Sequence, residues 1–193
     1  MKFPPSLVQK HYSSPLGPMI LVASDQALVG AWFDDQDHLP SELQGQSAWH
    51  TAPEQPVLRH ASRQLKEYFE GQRKVFELPL DLSFGTPFQQ SVWQALLKIP
   101  FGHSCCYADV ASNIGKHSAM RAVGAAVGRN PLSIIIACHR VIGADGSLTG
   151  YAGGLERKTF LLNLESSHSV GDRAGSLRVT AGSPAKSQQR SLL

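Results

Sequence analysis

A chain of 193 residues with 42% apolar content can fold as one domain or two small ones around a real core. No apolar run approaches a membrane span or a signal peptide. Three cysteines and eight histidines without Cys-x-x-Cys or His-x-x-x-His spacing exclude a disulfide framework and a dedicated metal site, so a reducing cytoplasm is the natural compartment.

The net charge of +3 is unevenly placed. Residues 1–84 carry seven Lys/Arg and ten Asp/Glu, residues 85–165 seven and four, and residues 166–193 four and one. Basic charge in the second half favours a polyanionic partner such as nucleic acid.

In chain order, Leu7–Tyr12, Ile20–Ala23 and Ala27–Phe33 read as strands of an antiparallel meander. Asp34–Pro53 is polar and irregular. Pro56–Glu70 places Val57, Ala61, Leu65, Tyr68 and Phe69 at helical spacing, with Gly71 as a stop. A small sheet covered by one helix is a scaffold, and its polar residues form no catalytic constellation.

A boundary is expected near Gly85. Thr86 can cap a helix, Pro87 suits its first position, and Gln89 completes a capping box. Phe88, Val92, Leu96 and Ile99 line one face, and Pro100 stops it. Cys105 and Cys106 are expected in a loop as bystanders. Tyr107–Ile114 and Ala119–Gly128 read as short helices joined by Gly115–Ser118, which matches a helix-turn-helix. The second helix is nearly free of bulk and has Arg121 as its only charge. Two readings fit it equally: close packing against other helices, or close approach to a large flat partner such as a DNA groove.

Ser133–Ile142 follows. Ile134–Ala137 reads as a buried strand ending on Cys138, with His139 and Arg140 next. Nearby positive charge favours a thiolate, so Cys138 can be an activated nucleophile. From this stretch alone the favoured reading is an inert core cysteine, a common fate of free thiols. Leu148–Gly154 is a glycine-rich loop without nucleotide-binding spacing, suited to letting backbone approach a flat ligand. Leu155–Glu165 is the last helix, and 166–193 reads as a disordered basic tail.

Residues 86–165 resemble the catalytic domain of the O6-alkylguanine-DNA alkyltransferases, the methylated-DNA–protein-cysteine methyltransferases. The resemblance rests on Arg121–Gly124, on Gly128-Arg129-Asn130-Pro131, on Ala137-Cys138-His139-Arg140-Val141 and on Tyr151-Ala152-Gly153-Gly154, in the family's order and spacing. Residues 1–84 resemble the family's variable first domain more loosely. The implied fold is α+β: a small amino-terminal antiparallel sheet with one helix (1–84), then a mainly helical, winged-helix-like catalytic domain (85–165).

The resemblance also implies roles. Cys138 takes the alkyl group from guanine, and His139 and Glu165, with a water, relay its proton. Read from the residues alone, Glu165 would be a solvated helix end. Tyr107 serves the departing base, and Arg121 enters the base stack in place of the flipped nucleotide. Asn130 hydrogen-bonds across the turn between the recognition helix and the active-site strand, and Arg121, Ala122, Gly124, Ala125, Asn130 and Arg140 are expected on DNA. Tyr107, Asn130, Val141, Tyr151, Ala152 and Gly153 are expected around the base. The carbonyls of Cys138 and Val141 would accept from its amine, and the Ala152 N–H would reach the alkylated oxygen.

The family's proline before the cysteine is Ala137 here, which loosens the approach to the thiol. The implied activity is single-turnover repair of O6-alkylguanine (less readily O4-alkylthymine) in double-stranded DNA. It requires no cofactor and no metal, and the protein acts as a monomer away from membranes. The alternatives are a lesion-binding module without repair and a cysteine hydrolase indifferent to DNA.

Overall fold

The computed structural model describes residues 3–43 and 49–169. Strands β1 (Val8–Ser14), β2 (Gly17–Ala23) and β3 (Leu28–Phe33) form the expected antiparallel meander. A two-residue strand, β4 (His50–Thr51), joins β1 in parallel inside the stretch expected to be irregular, and gives the sheet order β3-β2-β1-β4. Helix α1 (Pro56–Phe69) buries Val57, Leu58, Ala61, Leu65 and Tyr68. The sheet is covered on both sides, not only by a helix. Phe3, Leu7, Val22, Val29, Trp32 and Trp49 form a separate cluster, with Phe3 edge-on to both tryptophans.

Helix α2 (Pro87–Leu96) begins with the expected capping box: Gln89 N donates to Thr86 Oγ1, and Thr86 N to Gln89 Oε1. It ends at Leu96, short of Ile99. Helices α3 (Tyr107–Asn113) and α4 (Met120–Gly128) follow, and the Trp93 indole of α2 donates to Ala126 O of α4 at 2.9 Å. Cys105 and Cys106 form a short strand, β5, rather than a loop; it pairs in parallel with β6 (Val141–Ile142). Helix α5 (Leu155–Ser169) runs four residues past Glu165. The rest of the expected tail lies outside the described residues.

One apolar core runs through both halves, from Met19 and Leu58 to Trp93, Val123 and Leu161. The free edge of β3 helps to join them. An exposed edge is a row of unpaired donors and acceptors. Here Leu28 bridges to Leu80 and Ala31 to Leu132, with Ala31 N donating to Pro131 O and Ser133 N to Ala31 O. The amino-terminal sheet thus anchors the segment that leads directly to Cys138.

Candidate active site

Ile134–Ala137 is not a strand. After the Leu132 bridge the chain turns, and Cys138–Arg140 forms one 3₁₀ turn. Ile134 has φ of 73°, a left-handed conformation that is a true outlier for a β-branched residue. The turn is held from inside by Asn130. Its Nδ2 donates to Leu132 O, to Ile136 O at 2.9 Å and to Cys138 Sγ at 3.0 Å, while its Oδ1 accepts from Leu132 N. Asn130 is buried, so it supports the thiol from behind instead of meeting DNA. A continuous apolar run reads alike as a buried strand or a buried turn, which is why periodicity misassigned it.

Cys138 is buried, and burial pushes its thiol pKa up; the Asn130 amide and the Lys158 charge oppose that rise. It borders a cavity of about 230 Å³ that also touches Tyr107, Gly124, Val127, Tyr151 and Ala152. Tyr107 Oη donates to Thr149 O at 3.4 Å. Five expected site residues, Tyr107, Gly124, Cys138, Tyr151 and Ala152, therefore meet around one space. Gly153 does not line it. It is buried where a Cβ would come within 3.1 Å of the Phe33 ring and 2.8 Å of Tyr151, so its role is close packing.

His139 and Glu165 are both fully buried, with His139 Nε2 2.8 Å from Glu165 Oε1. The carboxylate accepts from four further donors: Tyr68 Oη at 2.7 Å, Gly102 N at 3.0 Å, and Arg140 Nε and Nη2 at 2.8 Å each. Burial alone would raise its pKa, yet the His139 hydrogen bond, with the hydrogen bonds and charge of Arg140, holds it well below the usual carboxylate range. An ionised Glu165 only accepts, which assigns the proton of neutral His139 to Nε2. Burial lowers the His139 pKa against the pull of Glu165, so the ring is neutral. Its Nδ1 is buried with no hydrogen-bond partner among the described residues. Cys138 and His139 share a 3₁₀ turn.

Arg140 was expected on DNA. It is instead turned inward, spent on Glu165 and on Ile99 O, with its guanidinium over the Phe101 ring. A buried carboxylate needs a paired cation, and Arg140 is that cation. In α4, Val123, Ala126 and Val127 are buried, while Arg121, Ala122 and Ala125 are exposed. The close-packing reading holds for the buried face, and the opposite face, with Arg121, is open to solvent. Gly124 lies where a Cβ would be 3.8 Å from the Tyr107 ring, an ordinary contact.

Lys158 escaped the sequence reading. It is fully buried, and its Nζ donates to Val141 O and Thr149 O at 2.6 Å and to Gly150 O at 3.3 Å. Burial lowers its pKa to about 8. It fastens the glycine-rich loop to β6 through the Val141 carbonyl; Val141, expected around the base, is fully buried and does not line the cavity. Lys158, Leu161 and Glu165 recur at helical spacing, so the buried face of α5 is largely polar. That pattern was visible in the sequence, but buried faces are sought among apolar residues.

Comparison with known proteins agrees with this arrangement. The 6-O-methylguanine DNA methyltransferase DNA binding domain matches residues 87–167, and the ribonuclease-like domain of the same name matches residues 7–82. The chain is 47% identical over 153 residues to the constitutive methylated-DNA–protein-cysteine methyltransferase of Bacillus subtilis, covering 79% of this chain and 91% of that protein. It is 44% identical over 165 residues to the methylated-DNA–protein-cysteine methyltransferase of Mycobacterium tuberculosis, covering 84% and 96%. The structure of Mycobacterium tuberculosis OGT in complex with DNA superposes with a TM-score of 0.75 at 42% identity, over 83% of this chain and 94% of that one. With both domains matched in order, and a buried thiol beside a carboxylate-bound histidine, the chain belongs to the 6-O-methylguanine DNA methyltransferase family.

Proposed function

We propose that Cys138 is the acceptor in direct-reversal repair of alkylated DNA, taking a methyl or other alkyl group from O6 of guanine, and less readily from O4 of thymine, once per protein molecule. The observation that carries this reading is the buried Cys138 thiol, which borders a cavity on one side and has the His139–Glu165 pair in the adjoining core.

A thiol buried this deeply cannot reach a base inside a duplex, so the nucleotide must turn out into the cavity. The exposed face of α4, with Arg121, Ala122 and Ala125, is the surface that would meet the groove, and Arg121 would fill the vacated place. Binding is dominated by phosphate contacts and weakens with salt.

The thiol proton passes through a water to His139 Nδ1, and Glu165 stabilises the imidazolium through Nε2. The Cys138 sulfur then attacks the alkyl carbon. A carbon–sulfur bond forms, the carbon–O6 bond breaks, and its electron pair leaves with guanine. Tyr107 donates a hydrogen bond or proton to that anion, which lowers the barrier. The proton held on His139 returns through water to the displaced base, or to Tyr107 where that hydroxyl has given up its own, so thiol and O6-alkylguanine become thioether and guanine with both residues restored.

Residues 1–84 form the scaffold domain and 85–165 the reactive one. No cofactor enters, one protein molecule suffices, and a reduced thiol suits the cytoplasm. Incubation with a duplex bearing O6-methylguanine, followed by weighing the Cys138 peptide, tests the reading. One added methyl group is expected. Binding without that gain would instead mark a lesion-recognition protein.

A further inference from the structure

Two residues at the cavity come from outside the second half of the chain. They are Asp37 and His38, on the loop that leaves β3. His38 is exposed and has φ of 63°, a conformation its Cβ disfavours. Such a residue persists where its surroundings over-determine it, and such residues cluster at ligand sites.

The surroundings of His38 do so. Gln36 is buried, and its Oε1 accepts from Phe33 N at 3.0 Å and from Ser133 Oγ at 2.9 Å, tying the loop to the turn behind the thiol. Asp37 N donates to Ala152 O at 2.9 Å, tying it to the loop that borders the same cavity. Arg157 donates twice to Asp35, at 2.8 and 3.1 Å. The strained residue follows directly on these three tied residues and stands beside Gly128 at the end of α4, where a Cβ would come within 3.8 Å of the imidazole.

Depth decides what such a rim residue meets. The alkylated oxygen must face buried Cys138. The glycosidic nitrogen lies across the purine from O6, so the sugar and its phosphate face the exposed rim. Asp37 repels a phosphate from its own side. The exposed Arg129, next in the chain after Gly128, favours one on the side where His38 stands.

We infer that His38 is a substrate-contacting residue, hydrogen-bonded through its imidazole to the sugar–phosphate of the extruded nucleotide. This rests on the alkyl-transfer reading of the same cavity. The contact exists only once a nucleotide has turned out, so His38 contributes to lesion recognition and not to general DNA affinity.

His38→Gly is the informative variant, because glycine adopts this φ freely and only the imidazole is lost. In a Cys138→Ser background, dissociation constants are measured for a duplex with one O6-methylguanine and for the same duplex unmodified. His38→Gly weakens the lesion duplex about tenfold and the unmodified duplex less than about twofold. With Cys138 intact, its second-order rate of methyl transfer at subsaturating duplex falls by a similar factor, about tenfold. His38→Asn tolerates the left-handed region and keeps a donor, so it recovers part of both losses. An unchanged transfer rate, or equal weakening on both duplexes, overturns the role of His38. Failure of the parent protein, with Cys138 intact, to take the methyl group overturns the reading of the cavity itself, and is read from a different sample.

Discussion

The two ends of α5 bury opposite charges and treat them differently. Glu165 has five donors, among them the guanidinium of Arg140, and its carboxyl is driven further toward the anion. Lys158, two turns earlier, has three carbonyl acceptors, and its pKa falls to about 8. A charge given a charged partner is locked, whereas one given only dipoles is left poised. The locked end holds His139 through Nε2 and leaves its Nδ1 without a partner among the described residues. The poised end holds the glycine-rich loop beside the cavity and lends the thiol a nearby cation.

The locked end carries the largest expected effects. Glu165→Gln leaves Arg140 buried without a counter-ion and should cost about 3–5 kcal/mol in urea denaturation. Methyl transfer should fall about 100-fold or more, because His139 loses the anion that stabilises its protonated form.

Acid is the next probe. The pKa values of His139 and Glu165 both lie below their unfolded values. In each case the unfolded chain binds more protons as the pH falls, so stability is fully present above pH of about 6.5 and is lost below it, first through His139 and then through Glu165. Denaturation midpoints across that range check the sign; a midpoint that rises on acidification would break the account.

Lys158→Met separates the two ends. It removes a buried cation as well as three hydrogen bonds, so stability should change by less than about 1 kcal/mol. Transfer should still fall about tenfold as the loop and the Val141 carbonyl lose their common donor. The smallest effect is expected at Ala137. Its φ of −76° already suits proline, so Ala137→Pro should add roughly 0.4–1 kcal/mol and leave the thiol in place.

The elements most legible in the sequence are those fixed by local chemistry. Thr86, Pro87 and Gln89 announced α2, and the spacing of Val57 to Tyr68 announced α1. The motif around Cys138 pointed to a thiol that borders the cavity and to a His139–Glu165 pair that is hydrogen-bonded in the core. What escaped depends on contacts far apart in the chain. Arg140 was read as a cation for DNA because nothing local says that Glu165 lies across from it. Ile134–Ala137 was read as a strand because its left-handed turn is imposed by Asn130 and by the β3 edge. His38 sat in a polar stretch without a period, and only the fold brings it to the cavity of Cys138.

The mass of the Cys138 peptide after reaction with a duplex carrying O6-methylguanine tests the central claim most directly. One methyl group should appear on that peptide, in a yield of no more than one per protein molecule, and Cys138→Ser should abolish it. Demethylated DNA beside an unmodified Cys138, or turnover beyond one lesion per molecule, would contradict the account.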